Sequence, residues 1–214
     1  MLSTETAIDH LVVTAPNLKS GVQWVRDALG VTAQLGGRHE RMGTHNCLLR
    51  LGDDVYLEVI AIDPNAPDPG RSRWFQLDRS GSASVPRLAT WVVRTADIRG
   101  TVLASTETSG KIESMSRGEL DWLITVSDDG SMQLGGVAPA LIQWATPAHP
   151  AQRMREQGCR LVELRLIHPE PPRVERLLRS IKLDTSIVVV ESGERPSLIA
   201  SIGTPFGIKS FPAT

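Results

Sequence analysis

His10 and Glu58 are the two residues whose types and spacing could do chemistry together. His10 lies in Ile8-Asp9-His10-Leu11-Val12-Val13, and Glu58 in Val55-Tyr56-Leu57-Glu58-Val59-Ile60-Ala61-Ile62. Both runs are rich in β-branched residues and bounded by turn residues, so both read as strands. Leu11, Val13, Leu57, Val59 and Ala61 are the residues expected to face a helix. The period of two then puts His10 and Glu58 together on the other face. Polar residues there are costly unless paired or wet, so the pair points to a lined cavity. An imidazole and a carboxylate are half of a metal site. A metal-free ligand cup and a purely structural His10–Glu58 hydrogen bond are the alternatives.

Cys47, Leu49 and Leu51 make the apolar face of a neighbouring strand, which turns Asn46 and Arg50 toward Glu58. The planar fork of Arg50 suits a carboxylate or phosphate, and an ion pair with Glu58 is the competing use. His45 precedes the strand, either at the cup's mouth, where it could shuttle protons near neutral pH, or as a solvated loop histidine. Arg94 is a second anion-binding candidate. His39, His149 and His168 carry no comparable argument.

The elements that must position these residues repeat. After the first strand, Asn17 is an N-cap, Leu18, Val22, Val25 and Leu29 form one helical stripe, and Gly30 sits just past its end. Trp24 flanks that stripe as a seal of helix against sheet. Strands follow at 31–35 and 47–51, separated by a Gly36-Gly37 turn and a polar loop, and Gly52-Asp53-Asp54 turns into the Glu58 strand. Residues 64–86 carry several prolines around the apolar island Trp74-Phe75-Gln76-Leu77, a linker or lid. Residues 88–98 then overlay 8–18 without a gap, with Asp97 at the cap position of Asn17, and internal repetition is a strong fold signal. A short helix and strands at 111–116, 120–126 and 140–145 complete a second βαβββ unit. A third unit follows, with a strand at 161–168, a helix with stripe Val174, Leu177, Leu178 and Ile181, and strands at 187–190 and 198–202.

Bulk properties exclude several classes. Of 214 residues, 41% are hydrophobic and 22% charged, which fits a globular chain. A net charge of −1 gives no pull toward nucleic acid or anionic membranes. No apolar run reaches membrane-span length, and the first residues lack the regions of a signal peptide. Cys47 and Cys159 form no metal-type pair, so a cytoplasmic protein with reduced thiols is expected.

Tandem βαβββ units with a histidine on the first strand and a glutamate on the fourth resemble the vicinal-oxygen-chelate superfamily, nearest its glyoxalase-like branch. The likeness is carried by Ile8-Asp9-His10-Leu11-Val12, Gly43-Thr44-His45-Asn46, Tyr56-Leu57-Glu58, Trp74-Phe75-Gln76-Leu77-Asp78, Leu88-Ala89-Thr90-Trp91-Val92-Val93-Arg94, Leu141-Ile142-Gln143-Trp144 and His149-Pro150-Ala151. It spans residues 8 to 182. It implies an α+β fold with tandem βαβββ modules forming a curved mixed-sheet cup and a C-terminal βαββ extension. The expected parts are a first module over 1–64, the linker or lid over 65–86, a second module over 87–147, and an extension over 148–214 packed on the body.

The superfamily's four ligand positions fall on His10, Glu58, Thr90 and Gln143. His10, Glu58 and Gln143 could hold Zn, Mn or Ni, an incomplete set, while Thr90 departs from the pattern and is left to substrate binding with Asn46, Arg50 and Arg94. Without a second histidine at these positions, a 2-His-1-carboxylate iron site is not expected. Should the third unit complete the cup, Glu163 would be a ligand, although a surface pair with Arg165 explains both. The resemblance implies a metal-dependent lyase or isomerase acting on a small oxygen-rich substrate, with Glu58 and His45 as catalytic groups and no nucleotide cofactor. The alternative is a metal-free protein that sequesters a small molecule in the same cup. Neither nucleic acid nor membrane is an expected partner, and pairing of modules within one chain or across a homodimer stays open.

Overall fold

Two βαβββ modules lie side by side in one curled sheet. The computed structural model describes residues 6–79, 85–146 and 149–212, so residues 80–84 of the expected linker lie outside the described residues. The first module comprises β1 (Ala7–Thr14), α1 (Leu18–Leu29), β2 (Gln34–His39), β3 (Thr44–Arg50) and β4 (Tyr56–Ile62). The second comprises β5 (Arg87–Arg94), α2 (Ile98–Ala104), β6 (Lys111–Arg117), β7 (Leu120–Val126) and β8 (Ala140–Trp144). The strand order is β2-β3-β4-β1-β5-β8-β7-β6. β1 pairs in parallel with β4, β5 does so with β8, and the modules join through antiparallel β1 and β5.

Helix α1 starts and stops as its sequence dictates. The Asn17 side chain accepts from the Ser20 N–H at 2.9 Å, and Gly30 closes the helix with φ 77°. Such an N-cap is worth about 1 kcal/mol. Val25 and Leu29 pack on Leu11, Val13, Leu57 and Val59, the helix-facing set of the central strands. The opposite face carries Val12, Ile60, Val92, Ile142 and Trp122, roofed by Trp74 and Phe75. The alternation thus separates a helix-covered core from a cup.

Strand β2 starts three residues later and ends four residues later than expected. Its span includes Gly36 and Gly37, which the sequence suggested as a turn. The reason is Asn46 on the neighbouring strand: a Cβ on Gly36 would collide with its side chain. The Gly37 N–H donates to Asn46 Oδ1 at 2.8 Å. The glycines are there for close approach of a side chain, and His39 is carried into the sheet with them.

The third unit forms a second sheet, in order β10-β9-β11-β12, from β9 (Arg160–His168), β10 (Val188–Ser192), β11 (Ser197–Thr204) and β12 (Gly207–Pro212), covered by α3 (Pro171–Ser180). Strand β12 was not expected. Leu164, Leu166, Val174, Leu177, Ala200 and Phe211 belong to the same continuous core as α1 and the helix-facing side of the large sheet. Trp24 meets Phe211 with ring centroids 4.3 Å apart, so it seals α1 against the extension. Arg165 holds Glu163 at 2.7 Å, the surface pair that removes Glu163 from any ligand role. No helix among the described residues is long and apolar enough to cross a membrane.

Candidate active site

The cup's polar group is centred on β1. At Ile8/His10 the register with β5 shifts by one residue, a bulge that leaves Asp9 as the extra residue. Asp9 and His10 therefore act together despite being neighbours in sequence. Asp9 is fully buried and its Oδ1 accepts from His10 Nδ1 at 2.6 Å. Its Oδ2 accepts from Trp144 Nε1 at 2.8 Å and from His149 Nε2 at 3.0 Å. Burial alone would push the Asp9 carboxyl up, but the hydrogen bonds and charges of His10 and His149 win and hold it well below the usual carboxylate range. The Ala151 N–H donates to His149 Nδ1 at 3.2 Å, so the other ring nitrogen of His149 carries the proton given to Asp9.

An ionised Asp9 fixes His10 as the Nδ1–H tautomer, with Nε2 turned into the cup. The ring stacks on Tyr56, centroids 4.5 Å apart and planes at 16°. Burial, then the charges of Asp9 and Glu58, push the Tyr56 hydroxyl well above its usual pKa, so it stays neutral. His10 Nε2 lies 3.7 Å from Glu58 Oε2. The other oxygen, Oε1, accepts from Asn46 Nδ2 at 2.5 Å.

On the far wall stands His39, whose Nε2 is 4.0 Å from Glu58 Oε1 and 3.3 Å from an Arg117 amino nitrogen. Because a guanidinium only donates, that Nε2 is an acceptor, and Nδ1–H is left for Thr44 Oγ1 at 3.1 Å. Burial lowers the His39 pKa to about 4, against the attraction of Glu58 and with the repulsion of Arg117. His39 is neutral at pH 7. These groups surround a cavity of about 20 Å³ walled by Trp74, Trp122, Trp144 and Ile142. That is room for a water or the head of a small molecule.

The structure thus brings together His10, Glu58 and Asn46 of the expected site residues. The others sit elsewhere. Gln143 accepts the Ile98 N–H at 2.9 Å and faces α2, because its neighbours Ile142 and Trp144 take the cup side of β8. Thr90 donates to the Gly136 carbonyl at 3.0 Å and lines a separate cavity beyond Trp74. Arg50 is held by Gly52, Asp53 and Glu156 rather than by Glu58. Arg94 ties down the Ile8 and Asp54 carbonyls at 2.7 and 2.6 Å, at an outer cleft. His45 lies one residue from Asn46, on the other face of β3, half-buried with its pKa lowered by desolvation.

Asp9, His39, Arg117 and His149 were missed. Strict alternation hides Asp9, since only a bulge puts it beside His10. Arg117 left a usable signal: it lies two residues beyond Met115, whose burial against Trp122 marks the cup face of β6.

A divalent cation does not fit this donor set. Among the described residues, no group of three or more His, Cys, Asp or Glu side chains is arranged to hold one. On the cup face the second module presents Val92, Trp122 and Ile142, which offer no ligand atom, and Arg117 lines the same cavity.

Comparisons with known proteins agree with the fold. The glyoxalase-like domain family matches residues 8–181. No curated protein matches the chain. A solved structure of a hypothetical protein from Staphylococcus aureus is 13% identical with TM-score 0.62, covering 89% of this chain and 87% of that one. A methylmalonyl-CoA epimerase in complex with methylmalonyl-CoA and NH4+ is 17% identical with TM-score 0.48, over 68% of this chain and 99% of that one. An extradiol ring-cleaving dioxygenase from B. fuscum is 13% identical with TM-score 0.41, over 85% of this chain and 46% of that one. The first shares the fold of this chain.

Proposed function

The chain belongs to the glyoxalase-like domain family of the vicinal-oxygen-chelate superfamily, and from that premise we propose that it is a lyase or isomerase that moves a proton on a small oxygen-rich substrate. Members of the superfamily typically use a divalent metal. The side chains of this cup do not assemble a site for one, so the reading rests on acid–base chemistry by the chain's own residues.

The observation that carries it is the facing pair Glu58 Oε2 and His10 Nε2, 3.7 Å apart in an aromatic-walled cavity. Asn46 holds one oxygen of Glu58 and leaves the other free to receive a proton. A proton on carbon beside a carbonyl passes to Glu58, and the C–H electron pair moves to the carbonyl oxygen as an enolate. Return of the proton to the opposite face of the same carbon gives an isomerase, and departure of a leaving group from the next carbon gives a lyase. His10 Nε2 faces Glu58, and Asp9 behind the ring stabilises an imidazolium if the proton moves on. A protein that only sequesters its ligand has no need of a free carboxylate oxygen facing an imidazole that a buried aspartate orients.

Loss of C–H proton signals in D2O, followed by NMR over a panel of small 2-oxo and 2-hydroxy acids and aldehydes, tests the reading. Exchange should occur with the wild type and fall about 100-fold or more in Glu58→Gln. Equal exchange by both proteins, or no exchange on any panel member, defeats it.

A further inference from the structure

We propose that Arg117 supplies the positive charge of this cup and that the site takes a small carboxylate, whose oxygens the guanidinium holds opposite Glu58. This deepens the proton-transfer reading above and rests on it.

Arg117 ends β6 in the second module, yet its side chain crosses to the first. Its stem lies flat on the backbone of Gly37, where a Cβ would stand 2.6 Å from Arg117 Cδ. One amino nitrogen donates to His39 Nε2 at 3.3 Å and to Asn46 Oδ1 at 3.2 Å. Both acceptors are neutral. They fix the guanidinium without cancelling its charge, and among the described residues no carboxylate lies within 4.0 Å of it. The contrast is on the same strand. Glu113 is gripped by Arg71 through both its oxygens and by Arg41 at 2.6 Å, so the arginines beside it are already paired.

Arg117 lines the cavity, and its remaining N–H groups make no hydrogen bond to the described residues. A guanidinium with a free planar edge matches a carboxylate in two parallel hydrogen bonds. The apolar faces of Trp122, Trp144 and Ile142 lower the local dielectric and strengthen that attraction. The cavity of about 20 Å³ sets the scale: a carboxylate head fits, and a nucleotide does not. Held in this way, a 2-oxo or 2-hydroxy acid points its neighbouring carbon at the Glu58 and His10 wall.

Tryptophan emission reports binding directly, because Trp74, Trp122 and Trp144 line the cavity. Titrations with acetate and pyruvate, against acetamide and pyruvamide as neutral counterparts, should give saturable changes for the acids and at least tenfold weaker binding of the amides. Arg117→Gln should weaken acid binding at least tenfold. Arg117→Lys, which keeps the charge and loses the fork, should fall between and stands in if the glutamine variant fails to fold. Glu58→Gln should bind acetate at least as tightly as the wild type, since it removes a like charge. Acids and amides bound alike, no titration by either acid, or a folded Arg117→Gln or Arg117→Lys that binds like the wild type overturns the proposal. Proton exchange that persists without dependence on Arg117 sinks this inference and leaves the enzyme reading standing. Arg117-dependent binding without any exchange does the reverse.

Discussion

His10 Nδ1 donates to Oδ1 of its sequence neighbour Asp9 at 2.6 Å, and that contact decides which nitrogen of His10 faces Glu58. The bulge in β1 makes it possible for adjacent residues to share one side of a strand. The carboxylate is a positioning group, buried behind the imidazole, and it accepts from two further donors at the cup's end.

Asp9→Asn should therefore damage both fold and function. An amide offers one acceptor oxygen to three donors and places an N–H against them. Disrupting a buried charged network of this kind is worth about 3 kcal/mol or more, read as a lower urea midpoint. Proton exchange should fall about 100-fold, as His10 loses its fixed tautomer.

His39 gives a pH signature. Its folded pKa is lowered to about 4 from an ordinary 6.5, so between those values the unfolded chain binds a proton that the folded chain does not. Stability is fully present above pH 6.5 and lost as pH falls toward 4, by at most roughly 3 kcal/mol. His39→Gln should flatten this part of the urea-midpoint profile. An unchanged slope in the variant would assign the dependence to other groups.

Gln143→Glu, which a metal role would make a tighter site, should leave divalent-ion uptake unchanged by calorimetry, because the side chain faces α2. Gln143→Ala should instead lower stability by about 1 kcal/mol, through the lost bond to the Ile98 N–H.

Gly36→Ala should displace the Asn46 side chain, since the new Cβ collides with it. Overpacking of this kind costs about 1–3 kcal/mol, and the displaced amide also releases Glu58. Activity should fall further than stability alone explains, which comparing exchange rates with thermal midpoints will show.

The gapless overlay of residues 88–98 on 8–18 made the fold legible, and Asn17 and Gly30 marked the first helix to the residue. The meeting of His10 and Glu58 was legible too, because Leu11, Val13, Leu57 and Val59 alternate beside them, whereas the bulge at Asp9 was not. Where alternation broke, the reading broke. Gly36-Gly37 has the composition of a turn, yet it is strand backbone making room for Asn46, and taking it as a turn left His39 in a loop. Gln143 is off by one residue on a short strand, which moves a side chain to the opposite face. Arg117 acts across the seam between modules, a relation that no local pattern contains.

Strand β1 has consequences for the order in which the chain can assemble. It lies between β4 and β5, and Thr6 just before it bridges to Leu183 near the far end of the sequence. Strand β1 thus waits for a partner from each module and for the third unit. Such non-local pairing slows folding and leaves an apolar strand without partners meanwhile. Nascent chains that stop short of β5 expose one edge of β1 to any other unpaired strand, so the segment that carries the chemistry is also the one most in need of protection during synthesis.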